Sequence, residues 1–203
     1  HGSERTEDEP GLLLRSVFPD GDGDPIPSAG EAEVTTGTPL DERWGGWIVT
    51  GAFTGAHRGN GHAERDEHGG YRIVGRAAPT LAAFADRFDA ARYPVATSDA
   101  GTLLAFEQQA TVHNLLIRAS LQVRVALARD EQVDRTIGES GPHEATERLL
   151  DARAREIAAS LLLADEPTLV GLGMTPEPAF AAAFAAQWPR DAHGVQLGVL
   201  DLR

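Results

Sequence analysis

The chain has 203 residues, of which 41% are hydrophobic and 24% charged, enough apolar content to bury a core rather than remain a disordered tail. Its 31 acidic residues against 18 basic ones give a formal charge of -13, which disfavours a sequence-independent grip on nucleic acid. No run approaches the apolar length of a membrane span, and the absence of cysteine removes disulfides, thiolate metal sites and thiol nucleophiles together. All the basic residues are Arg, so Schiff-base chemistry and a Walker lysine are excluded as well.

In chain order, the first residue is His1 rather than Met, which reads as a processed or excised chain or as the scar of a purification tag. Leu12–Phe18 and Glu33–Thr36 read as strands, separated by Pro19–Pro25, a segment saturated with turn formers. Trp47–Thr50 and Tyr71–Val74 supply two more strand candidates, and Gly51–Gly70, with six Gly and three His, reads as a long exposed loop. From Pro79 the pattern becomes helical: a short amphipathic helix to Phe88, then an N-cap at Thr97-Ser98-Asp99 and an unbroken helix over about 99–129. A further helix is expected over 142–164, with Glu144, Glu147, Arg148, Asp151 and Arg155 wet and Leu149, Leu150, Ile157 and Leu161 inward. Thr175-Pro176 opens a fourth, Ala-rich helix carrying Phe180 and Phe184. The apolar end, Gly198–Arg203, has neither cap nor polar tail and reads as a chain that once continued. The expectation is one α+β domain over 1–203. A small irregular antiparallel β region (about 11–75) lies within a β- and loop-rich stretch, residues 1–78, and a mainly helical body (79–203) with one long helix follows.

On the long helix, Glu107, Thr111, Asn114 and Arg118 fall within about 60° of one another. Such a polar stripe among Leu103, Leu104, Val112 and Leu115 fits a buried structural network, a carboxylate poised at a ligand pocket, or a solvent-facing stripe. His113 lies on a neighbouring face of the same helix. Asp20, Asp22, Asp24 and Glu31 match four ligand positions of a calcium-binding EF-hand loop, but the required sixth-position Gly is Pro25, so the segment reads as a hairpin turn. No Gly-x-Ser-x-Gly elbow supports a hydrolase. In Arg43-Trp44-Gly45-Gly46-Trp47, the two Trp supply either core packing or a surface for a flat ligand such as a porphyrin or sugar ring.

Pro10–Asp20, Glu42-Arg43-Trp44-Gly45-Gly46-Trp47-Ile48-Val49-Thr50-Gly51, His57-Arg58-Gly59-Asn60, Thr97-Ser98-Asp99, Glu107-Gln108-Gln109 with His113-Asn114 and Arg118, Ala164-Asp165-Glu166, and Phe184 through Trp188–Asp191 and Gly194 appear in this order. Together they resemble a bacterial family of extracytoplasmic proteins related to the c-type cytochromes. In that family a Cys-x-x-Cys-His haem motif precedes the Pro-Gly-x-Leu-x-Arg-Ser-Val strand, and His1 aligns with its His. The resemblance implies a periplasmic or otherwise extracytoplasmic redox-linked domain. It would bind haem through His1 with His57 or His113 opposite, supported by Glu107, Asn114, Arg118, Trp44 and Trp47. Copper is the alternative metal, chelated by the α-amine and imidazole of His1 with His57, His62 or His113 as third nitrogen. The chain departs from the family in that both Cys are absent, Gln108 stands where a His is usual, a His after Gly51 is replaced by Phe53 or Thr54 with one residue deleted, and a segment that the family carries past Arg203 is missing from the sequence. A chain that has shed these groups fits equally a cofactor-free binding or assembly module, its acidic surface docking a basic redox partner such as a cytochrome. Enzyme status stays open.

Overall fold

The computed structural model describes residues 9–164, except 52, 54 and 139, together with a few positions between 182 and 194. His1 and nearly all of the expected fourth helix, including Phe180 and Phe184, lie outside the described residues. The fold is α+β: two small antiparallel strand pairs, β1 (Arg15–Val17) with β2 (Glu31–Glu33) and β3 (His62–Arg65) with β4 (Tyr71–Val74), then helices α1 (Ala100–Ile137) and α2 (Glu144–Leu161). The described residues divide into two compact units. One takes 15–34 and 38–106 and holds both strand pairs. The other takes 9–14, 35–37 and 107–164 and holds most of α1 and all of α2.

The β-rich unit is stitched by turns more than by sheet. Between β1 and β2 the chain reverses at Asp20–Asp24, as its composition predicts. Asp20 Oδ1 accepts from the backbone N–H of Asp22 and of Asp24, an Asx-type turn closed by a Pro19–Pro25 bridge. β2 occupies Glu31–Glu33, two residues earlier than the Val/Thr run suggests. The expected loop over 51–70 instead contributes β3, paired with β4 in the register His62↔Val74 to Arg65↔Tyr71. Asp66 closes that hairpin by accepting from His68 and Gly70 N–H. The predicted strand Trp47–Thr50 forms none, and only an isolated bridge joins Thr50 to Asp99. The predicted short helix after Pro79 tightens to a single 3₁₀ turn, Leu81–Phe84, which buries Leu81 and Phe84.

Two apolar clusters fill this unit: Phe18, Ile26 and Ala29 in one, and Trp44, Val49, Ala100 and Leu103 in the other. The first turn of α1 supplies half of the second cluster, and its start is fixed by Asp99. Asp99 Oδ1 accepts from Thr102 N–H, and Asp99 Oδ2 accepts from the Thr102 hydroxyl.

In the helical unit, α1 runs on past Arg129, where the sequence reading ends it. The polar run Arg129–Gln132 contains no helix breaker, and the helix stops at Gly138 (φ +75), whose N–H reaches back to Asp134 O. At about 57 Å it is long for a domain of this size. Helix α2 runs antiparallel to α1, with polar bridges along the pair. Gln108 Nε2 donates to Ser160 O, Arg118 Nη2 to Glu156 Oε2, and His143 N–H to Asp130 Oδ2. The expected wet face of α2 is exposed, but Leu150 and Leu161 are exposed too. The inward positions are Thr146, Leu149, Arg153, Ile157 and Ser160.

Candidate functional site

The densest cluster of candidate residues is the segment 43–60 of the β-rich unit. Trp44 has φ +67, a left-handed conformation that a bulky side chain rarely adopts, and is fully buried. It opens a tight turn closed by Trp47 N–H donating to Trp44 O. The two intervening glycines are required: a Cβ on Gly45 would strike Ser16 Oγ, and one on Gly46 would strike Val17 O. Gly45 N–H donates to Ser16 Oγ, and Trp47 Nε1 donates to Arg15 O at 2.8 Å, so the turn is clipped to β1. Arg43, 1% exposed, donates from Nε to Thr38 O.

The His57–Asn60 motif folds onto the same turn. Asn60, also left-handed at φ +63, accepts at Oδ1 from Val49 N–H and donates from Nδ2 to Val49 O, as a neighbouring strand would. Gly59 has no room for a Cβ against Val49. Trp44, Phe53 and His57 form an aromatic triad with centroids 5.4–5.6 Å apart. Trp44 and Trp47 are therefore core and clip rather than the walls of an open slot.

His57 is half-buried in this triad, and burial lowers its pKa from the ordinary 6.5, which favours the neutral ring. Gly59 N–H donates to His57 Nδ1 at 3.0 Å. The lone pair at Nδ1 is thus occupied, and the neutral ring carries its proton on Nε2. Histidines that bind metal through one nitrogen normally donate a proton from the other, the reverse of this arrangement. As placed, His57 does not fit an axial haem ligand or a copper ligand. His113 is exposed on α1, His62 pairs with Glu64 at 3.0 Å, and His1 lies outside the described residues. Among the described residues no group of three or more His, Asp or Glu is assembled for a metal ion.

The polar stripe on α1 divides by task. Glu107 is 1% exposed. Asn114 accepts at Oδ1 from Leu12 N–H and donates from Nδ2 to Leu12 O, both at 2.8 Å, so it holds the N-terminal segment as Asn60 holds Val49. Thr111 and Arg118 line a cleft of about 260 Å³ with Thr36, Leu115, Glu156, Ser160 and Leu163. Along the stripe, Glu107 is buried and is not among the residues lining the cleft, Asn114 clamps the N-terminal segment through exposed bonds, and Thr111 and Arg118 line the cleft. Sequence reasoning missed Glu156, Ser160 and Thr36. Arg153 and Glu156 at i,i+3 were the available signal on α2, whereas Thr36 is far away in the chain.

No protein-family model matches the chain, and no curated protein or solved structure is detectably similar to it. Among the described residues, no helix is long and apolar enough to cross a membrane.

Proposed function

We propose that the chain is an extracytoplasmic binding module, related to the c-type cytochromes, that docks a redox partner with a basic surface. The disposition of charge carries this reading. Arg15 is paired with Glu31, Arg72 with Glu64, Arg76 with Asp86, Arg135 with Glu131, Arg148 with Glu144 and Arg153 with Glu156, and Arg43 is buried. Each of these pairs neutralises one acidic group with one Arg, so the excess of acid over base remains: Asp20, Asp22 and Asp24 stand exposed on one turn and the formal charge is -13. Such a surface steers a basic partner at long range and is screened by salt. The geometry at His57 supports a docking role over one in which this ring holds iron or copper.

The test is a titration of the chain, purified with its native N-terminus, against a small basic c-type cytochrome. Association is expected to weaken about tenfold or more between about 20 and 150 mM salt. Asp22→Arg with Asp24→Arg should weaken it further. No association at low salt overturns the proposal. An ultraviolet–visible spectrum and elemental analysis of the same sample provide the second arm. A Soret band with stoichiometric iron, or stoichiometric copper, would replace docking by a haem or copper domain, whose ligands single variants of His1, His57 and His113 would identify.

A further inference from the structure

The cleft in the helical unit is built for a ligand that the docking role does not use. On α1, Thr111, Leu115 and Arg118 follow at i, i+4 and i+7 and face it together; on α2, Glu156 and Ser160 face it one turn apart. Leu163, left-handed at φ +56 just beyond the end of α2, closes one side. Ser160 is nine-tenths buried, and its hydroxyl is enclosed without a hydrogen-bond partner although it lines the cleft. A buried hydroxyl in that state is costly unless something in the cleft bonds to it.

The charges define what that something is. Glu156 Oε2 accepts from Arg153 Nη1 at 2.5 Å and from Arg118 Nη2 at only 3.4 Å. Two guanidinium groups thus share one carboxylate, and the shorter bond is the one from outside the cleft lining. Arg118 can turn to an incoming anion while Arg153 keeps Glu156 neutralised. The hydroxyls of Thr111 and Ser160 offer donors to the same anion, and Leu115 and Leu163 offer an apolar wall to whatever is attached to it. The volume lies just below that of pockets for drug-sized molecules, which sets the ligand at a handful of heavy atoms.

We infer that this cleft binds a small monocarboxylate with a short apolar tail, its carboxylate on Arg118 and Ser160 and its tail on Leu115 and Leu163. The inference stands independently of the docking role.

The probe is sodium butanoate added to the full chain, followed by amide NMR shifts and calorimetry, with butanamide and inorganic phosphate as comparisons. Butanoate is expected to saturate with a Kd on the order of 1 mM, with shifts centred on Thr111, Arg118 and Ser160. Butanamide, the same shape without the charge, should bind at least about tenfold more weakly. Arg118→Gln should weaken butanoate at least about tenfold and Ser160→Ala about threefold, each in a protein whose spectrum shows it folded. Equal binding of butanamide, no saturation by butanoate, or undiminished binding in a folded R118Q protein would each overturn the inference. Phosphate binding more tightly than butanoate would overturn it too, because the apolar wall would then have no role. The comparison of butanoate with butanamide needs no variant, so a misfolded substitution leaves the test intact.

Discussion

The two units reverse the usual partnership between regular structure and apolar core. Apart from the first turns of α1, the described residues of the β-rich unit form only short strands and 3₁₀ turns, yet the unit holds Phe18, Ile26, Val34, Trp44, Val49, Leu81, Phe84 and Leu103, all buried. The helical unit has the long helices, yet its only fully buried apolar side chain among the described residues is Ala110, beside the buried polar Glu107, Thr146 and Ser160. Leu116, Val125, Leu127, Val133 and Ile137 of α1 are exposed. A chain can therefore be held by a few aromatic side chains and side-chain clamps where it looks irregular, and by polar bridges where it looks most ordered. Burial and hydrogen-bond satisfaction decide stability, and the regularity of the backbone does not.

The sharpest way to break this comparison is Trp44→Ala. It empties the centre of the second apolar cluster and should cost about 3–5 kcal/mol in denaturant unfolding. A cost below about 1 kcal/mol would show that the core lies elsewhere.

Asn60→Ala removes both bonds to Val49 and leaves Ala in a left-handed conformation. About 2 kcal/mol is expected by the same measurement. A neutral result would mean that the His57–Asn60 motif is not what locks the turn.

Acid should separate the units. The His57 pKa is lowered by burial, so the unfolded chain binds more protons near neutrality. Stability is complete above 6.5, the ordinary value, and declines as pH falls through it. Asp130 in the helical unit shifts in the same direction but titrates in a much more acidic window. The His143 N–H, then the Thr146 hydroxyl, hold its pKa below the ordinary 3.8, so its contribution persists above that value and is lost only as pH falls below it. Amide exchange should therefore rise in the β-rich unit as pH drops through 6, after correction for the intrinsic rate, with α1–α2 unchanged until well below pH 4. His57→Leu should abolish the first change and leave the second. Simultaneous loss of both units near pH 6 would refute this assignment.

Asn114→Ala in the helical unit is the counterpart of Asn60→Ala, but its partners are exposed. About 1 kcal/mol or less is expected, with faster exchange confined to residues 9–14. Smallest of all is Leu127→Gln, expected within about 0.5 kcal/mol because the side chain is already 41% exposed. A loss several times larger would reveal that something covers this face.

Much of this architecture was legible in the sequence where its causes are local. The Asp20–Asp24 turn follows from Asx and Gly chemistry, the Asp99 cap from a side chain reaching three residues ahead, and the helical character of 100–137 and 144–161 from periodicity without breakers. The stop of α1 was read too early, at about Arg129, although no helix breaker stands between that residue and Gly138. The β3 strand was hidden because Gly and His dominate 51–70, and its alternation spans only His62–Arg65.

The candidate site was legible only as a choice of residues. The sequence marked Trp44, Trp47, His57, Glu107, Asn114 and Arg118 as unusual, because Gly-flanked Trp and a polar stripe in an apolar helix violate the ordinary pattern. Their tasks depend on partners far away in the chain: Asn114 meets Leu12 across 102 positions, Gln108 meets Ser160 across 52, and Trp47 meets Arg15 across 32. Length, charge, turn chemistry and helix caps are set by neighbours in sequence, so the chain alone determined them. Which nitrogen of His57 is occupied, which Asn serves as a clamp and which Arg faces a cleft are set by neighbours in space, and only the tertiary structure decided them.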